Sequence, residues 1–123
     1  MPKTPDAQRL LEVQDVRMAY GLEGKGPLVL DGVNVVIEEG EIVSLLGRSG
    51  SGKSSLLRII AGLLKPTNGR ALWEGKPVSG PYPGVAMVFQ SFALFPWLTV
   101  EENVELGLEA LRTPLAERKY RFD

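Results

Sequence analysis

A chain of 123 residues suffices for one domain around one core, and 44% apolar with 24% charged residues is ordinary for a globular protein. The 14 basic and 15 acidic residues leave a net charge of −1 with no basic cluster, which argues against a nucleic-acid partner. Cysteine and histidine do not occur, so disulfides, thiolate catalysis, Cys-based metal sites and the commonest general base are excluded.

Residues 1–9 are polar, hold two prolines and lack the apolar core of a signal peptide; they read as a loose tail. No apolar run approaches the roughly 18 residues of a membrane span. The chain is therefore expected to be soluble, with any membrane link made through a partner.

From Leu10 to Tyr20 apolar residues alternate as Leu11, Val13, then Val16, Met18, Tyr20. The change of phase near Asp15 predicts a strand with a bulge. Residues 21–27 hold three glycines and a proline and read as a loop. A second strand follows around Val33, Val35 and Ile37, ending in a tight turn at Glu38–Glu41, and the pair suggests an antiparallel hairpin or meander. Ile42–Leu46 is a short aliphatic run suited to a strand buried on both faces. A glycine-rich loop leads into a predicted helix from Lys53 to Leu64, with Leu56, Leu57, Ile60, Leu63 and Leu64 as its apolar stripe. Pro66 stops it and Asn68-Gly69 reads as a turn. Arg70–Glu74 is a further short strand, residues 75–84 a loop, and Val85–Phe89 a second fully apolar strand. Thr99 and Glu102 have the spacing of a capping box, opening a helix whose face is Val100, Val104, Leu108 and Leu111. Thr113-Pro114 ends it, and Thr113 could cap another helix starting at Pro114.

The segment Gly47-Arg48-Ser49-Gly50-Ser51-Gly52-Lys53-Ser54 matches G-x-x-x-x-G-K-[ST]. Triphosphate oxygens need many backbone N–H groups at close range, and the glycines let the loop curl around them. The loop delivers phosphates to a helix N-terminus, where free N–H groups and the helix dipole favour anions. Lys53 supplies a point charge for the β- and γ-phosphates, and Ser54 a hydroxyl for Mg²⁺. Gly47 through Ser55 are thus the candidate ATP-binding residues. A chance glycine-rich turn would lack the apolar strand before it and the apolar helix after it.

Over about residues 10–123 this arrangement resembles the ABC-type ATPases, the nucleotide-binding subunits of ATP-binding-cassette transporters. The resemblance implies an α/β P-loop fold: residues 10–98 would be the N-terminal part of the ATPase domain, an antiparallel β-subdomain in the first 40 residues followed by the P-loop core with its parallel sheet, and 99–123 the start of a helical subdomain. It places Tyr20 where the family's adenine-stacking aromatic belongs, although a strand-end core aromatic would look the same. Val88-Phe89-Gln90 looks like the family's Q-loop. Gln90 would then approach Mg²⁺ or the attacking water, joining Lys53 as a catalytic candidate and Ser54 as a metal ligand. The stretch Ser91–Val104, with Phe95-Pro96-Trp97, looks most like importers of the nitrate, sulfonate and taurine group. Its Phe92, Leu94, Phe95 and Trp97 either simply pack together or form a contact surface.

The family's remaining motifs are not present in these residues. Ser79-Gly80 is followed by Pro81 rather than a signature loop, no apolar run ends in Asp-Glu, and there is no switch histidine. The chain reads as a truncated or partial gene product that holds only the N-terminal part of such a subunit. It is not expected to turn over ATP alone, because nothing here orients the attacking water. Its apolar strands would keep open edges, an aggregation liability. For the intact protein the resemblance implies Mg-ATP hydrolysis between two such subunits at the cytoplasmic face of the membrane. Permease subunits would be contacted near Ser91–Leu98, with an extracytoplasmic solute-binding protein as a further partner. The alternatives are a soluble ABC module that works without a permease and an inactive fragment.

Overall fold

The computed structural model describes residues 9–21, 24, 26–91 and 94–114. Most of the expected tail, Phe92 and the helix expected after Pro114 lie outside these residues; Arg9, assigned to the tail, opens the first strand. The chain divides into two units, 1–87 and 88–123.

The first unit holds β1 (Arg9–Ala19), β2 (Leu28–Glu38), α1 (Lys53–Ile60), β3 (Asn68–Trp73) and β4 (Lys76–Pro77). The strands form one sheet in the order β2-β1-β3-β4, and every neighbouring pair is antiparallel. The expected bulge sits at Asp15. Its φ is 45°, and the register slips there against both neighbours of β1. The Asp15 N–H, freed from the ladder, donates to Asn34 Oδ1 at 3.0 Å. Through this slip Leu11, Val13, Val16 and Met18 are all buried, despite their change of phase.

These four, with Leu30 and Ala71 from the sheet and Leu56 and Ile59 from α1, form the core. Burying an aliphatic side chain of this size contributes roughly 1.5–3 kcal/mol. Leu56 and Ile59 are therefore the anchors that hold α1, and the loop before it, on the sheet.

The helix is shorter than the predicted Lys53–Leu64. Gly62, at φ 74°, turns the chain out of it: the Gly62 N–H reaches Ile59 O at 3.1 Å and the Leu63 N–H reaches Arg58 O at 2.8 Å. This is a Schellman closure, and Gly62 is the residue type it favours. A Cβ at Gly62 would also collide with Gly80 O. The Trp73 indole donates to Ile60 O at 2.8 Å, satisfying another end-of-helix carbonyl.

Two smaller expectations are corrected. Asn68-Gly69 does not form an isolated turn but opens β3, because Thr67 already ties the chain to β1: its N–H donates to Arg17 O at 2.9 Å and its hydroxyl accepts from the Ala19 N–H at 3.0 Å. Residues 75–84 are not all loop, since a tight turn at Glu74-Gly75 folds β4 back onto β3.

The larger correction concerns the two apolar runs. Residues 42–46 and 85–89 form no ladder among the described residues, and Ile42 is 96% and Leu46 93% exposed. The described sheet is thus wholly antiparallel. A strand buried on both faces is stable only with neighbours along its edges, and parallel neighbours are reached by long crossovers rather than by local turns.

In the second unit, α2 spans Val100–Ala110 behind the expected capping box. The Glu102 N–H donates to Thr99 Oγ1 at 3.2 Å and the Thr99 N–H to Glu102 Oε2 at 2.7 Å. The helix ends before the predicted Thr113-Pro114, and its stripe residues Val100, Val104 and Leu111 are exposed. Neither α1 nor α2 is long and apolar enough to cross a membrane.

Candidate functional site

The glycine-rich loop bridges the extended segment 42–46 and the first turn of α1. A bond from the Ser51 N–H to Arg48 O at 3.1 Å closes a turn within it. Gly52 then enters the helix at φ 73° and ψ 41°. A Cβ there would lie 2.6 Å from both Val29 O and Val29 Cγ1, so the loop backbone rests directly on β2 and only glycine fits.

The first bond of the helical ladder runs from the Leu56 N–H to Gly52 O at 3.4 Å. The N–H groups of Lys53, Ser54 and Ser55 precede it and have no intrahelical acceptor. No side chain caps this end, and no acidic residue lies in the first turn. Arg48 and Lys53 are the only charged residues between Gly47 and Ser55. Unpaired N–H groups, the positive end of the helix dipole and two cations with no carboxylate among them suit a polyphosphate anion.

Lys53 folds back over the loop, its Nζ donating to Gly47 O at 3.0 Å and to Arg48 O at 3.2 Å. This lays the ammonium over the loop's own carbonyls, at the surface. Ser54 is exposed and its hydroxyl makes no bond among the described residues, leaving it available as a single hard oxygen ligand. No group of three or more acidic side chains that could hold a metal occurs among the described residues. A Mg²⁺ ion suits this donor set, because Mg²⁺ is commonly held by few protein oxygens together with phosphate oxygens and water.

Ser55 points the other way. It is 7% exposed, and its Oγ lies 2.9 Å from the Tyr20 hydroxyl, 35 residues earlier in the chain. Its backbone N–H is the group left to face an anion. Tyr20 follows the last residue of β1, and its N–H donates to Pro27 O at 3.2 Å across the loop leading to β2. Tyr20 is 40% exposed. The first unit thus brings together Tyr20 and Gly47 through Ser55, while Gln90 belongs to the second unit, exposed beyond the segment 85–89.

In the second unit Leu94 and Trp97 are exposed, and Phe95 packs on Trp97 with ring centroids 5.1 Å apart. The sequence reading passed over Asn103. Its Oδ1 accepts from the Phe95 N–H at 2.8 Å, and its Nδ2 donates to Phe95 O at 3.1 Å, Leu98 O at 3.2 Å and Thr99 O at 2.8 Å. The available signal was an amide four residues after a helix N-cap, interrupting an otherwise aliphatic and acidic helix.

A separate cleft of about 500 Å³ in the first unit is lined by Leu10, Trp73, Glu74 and Tyr82, among others. Tyr82 stacks on Trp73 and donates to Glu74 Oε2 at 3.2 Å. Partial desolvation, reinforced by the Glu74 carboxylate, pushes its phenol above the ordinary tyrosine range.

Comparison with known proteins gives one consistent answer. The family described as ABC transporter matches residues 30–123. The chain is 38% identical over 122 residues to the bicarbonate transport ATP-binding protein of Synechococcus elongatus, a match covering 98% of this chain and 44% of that protein. It is 44% identical over 113 residues to the nitrate import ATP-binding protein of Synechocystis sp., covering 92% and 41% respectively. Among solved structures, it matches a dimeric ATP-binding cassette in a post-hydrolysis state bound to ADP and Pi, with a TM-score of 0.78 and 35% identity over 91% of this chain and 53% of that one. The chain therefore spans less than half the length of these two relatives, and its fold class is that of the P-loop cassettes.

Proposed function

Because the chain belongs to the ABC transporter family, we propose that it is the leading portion of a subunit that binds and hydrolyses Mg-ATP to drive a solute across a membrane. The observation that carries this reading is the phosphate cradle. Three unpaired N–H groups at the start of α1, Lys53 laid across the loop and the free Ser54 hydroxyl meet at one place. When bound, Mg²⁺ would supply charge neutralisation between phosphate oxygens. The chain's own residues do the rest that falls to this portion. The loop backbone from Gly47 to Ser55, with Arg48, Ser49, Gly50 and Ser51 in its bend, holds and orients the phosphates. Lys53 exchanges its two carbonyl partners for phosphate oxygens, and Tyr20 offers a ring face to the base.

Several finer points belong to the same reading. Gln90 would complete the metal site from beyond the apolar run 85–89, and that run and 42–46 would enter a larger sheet in the intact protein. The helical subdomain would begin at Thr99, where the capping box starts a new helix. The segment from Ser91 to Leu98, in which Leu94 and Trp97 are exposed, would meet a permease, with a second copy of the subunit closing over ATP at the cytoplasmic face of the membrane. The dimeric state of the matched cassette supports the pairing. An oxyanion-like solute, of the nitrate, sulfonate or taurine kind and delivered by an external binding protein, is supported by the nitrate and bicarbonate relatives.

Titration of the intact subunit with Mg-ATP, with and without Lys53→Ala, tests the site. Equal affinity of the two would refute it. Purification from membranes tests the transport reading: a transporter subunit co-purifies with a multi-span protein, whereas a soluble ABC module does not.

A further inference from the structure

Ser55 is the only buried polar side chain among the described residues. A hydroxyl taken out of water needs a partner, and leaving it without one costs free energy. Its partner is the Tyr20 hydroxyl, at 2.9 Å. The two residues come from different elements. Tyr20 lies just past β1, beside the loop that begins at Gly21, while Ser55 lies in the first turn of α1, fixed by Leu56 next to it in the core. Ser55 is thus rigid, while Tyr20, 40% exposed at a strand end, is not part of the core cluster, so the bond to Ser55 is a rotamer-selecting contact for it.

We infer that the Tyr20–Ser55 hydroxyl bond is a positioning device that fixes the aromatic ring relative to the phosphate loop, making Ser55 a determinant of how well the site accepts the base of a nucleotide. The inference rests on the nucleotide-site reading above. Its physical basis is the cost of ordering. A ring free to swing must be immobilised when a base stacks on it, and immobilising one such side chain weakens binding by roughly two- to tenfold. A ring already tethered has met that cost on folding. Because the tether engages the Ser55 side chain, whereas the group offered to phosphate is its backbone N–H, the loop's grip on phosphate does not depend on it.

The test uses two probes on the intact subunit, Mg-ATP and inorganic tripolyphosphate with Mg²⁺. Tyr20→Phe keeps the ring and removes one oxygen, and Ser55→Ala removes the other. Each is expected to raise the Kd for ATP by roughly three- to tenfold and to leave the Kd for tripolyphosphate unchanged. The double variant should be no weaker than either single one, since both remove the same bond, and Ser55→Thr should restore the wild-type value. Parallel weakening of tripolyphosphate would mean that the bond merely supports the loop, and would overturn the inference. So would unchanged ATP affinity in Tyr20→Phe. If the unsubstituted protein binds neither probe, the nucleotide-site reading itself has failed and the inference falls with it.

Discussion

Asn103 holds both backbone groups of Phe95, accepting its N–H at 2.8 Å and donating to its carbonyl at 3.1 Å. Two more donations, to Leu98 and Thr99, make one side chain the clamp for the whole bend that precedes α2. The bend presents Leu94 and Trp97 to the outside, Trp97 at 74% exposure. Its shape therefore comes from polar bonds to the backbone rather than from burial of its own apolar residues. Replacing Asn103 by Ala should release it. With each bond contributing about 1 kcal/mol, amide hydrogen exchange at Phe95 should quicken by roughly ten- to a hundredfold, while Mg-ATP affinity stays unchanged. Unaltered exchange at Phe95 would show that the clamp is not what orders the bend.

Lys53 is the group whose removal should damage nucleotide binding most. Its ammonium rests on two carbonyls of the loop, and the bonds it would make to phosphate oxygens in their place, from a charged donor, are worth about 1.5–3 kcal/mol. Lys53→Ala should weaken Mg-ATP binding by roughly ten- to a hundredfold, measured by calorimetry, with little change in melting temperature because the side chain lies outside the core.

Gly52 should behave in the opposite way, through the fold. Any side chain there meets Val29 O at 2.6 Å and must also hold φ at 73°. The left-handed conformation alone costs a non-glycine residue about 1–2 kcal/mol. Gly52→Ala should lower the melting temperature by roughly 5–15 °C and weaken nucleotide binding as the loop lifts off β2. A variant with the wild-type melting curve would contradict the close contact with Val29.

The capping box predicts a pH dependence confined to α2. Accepting the Thr99 N–H holds the Glu102 carboxyl below its ordinary range. A depressed pKa in the folded state favours the ionised, bonded form. Its contribution is complete above the unfolded value, about 4.3, and is lost as pH falls through the lower folded value. Exchange protection of the Thr99 amide should therefore decline only in acid, at a pH below the ordinary carboxylate range. Glu102→Gln, which cannot ionise, should remove that dependence.

Much of this was legible in the chain itself. The phosphate-loop spacing, the phase change at Asp15 and the Thr99/Glu102 pair are local patterns, and local geometry is enough to interpret them. The end of α1 falls earlier than apolar periodicity places it, at the turn that Gly62 makes. The apolar stripe continued through Leu63 and Leu64, and periodicity outweighed a glycine whose left-handed turn closes the helix.

What the sequence by itself determined is the chemistry on offer: a glycine-rich run of N–H groups, one lysine, several serine hydroxyls and an aromatic residue ahead of them. The tertiary structure alone decided how these meet. That Gly52 lies against Val29, and that the buried Ser55 hydroxyl finds Tyr20 35 residues away, follow from how α1 docks on the sheet through Leu56 and Ile59. The same holds for 42–46 and 85–89. Their composition announces strands, but a strand exists only where another backbone completes its hydrogen bonds, and that partner is not a property of the strand's own residues.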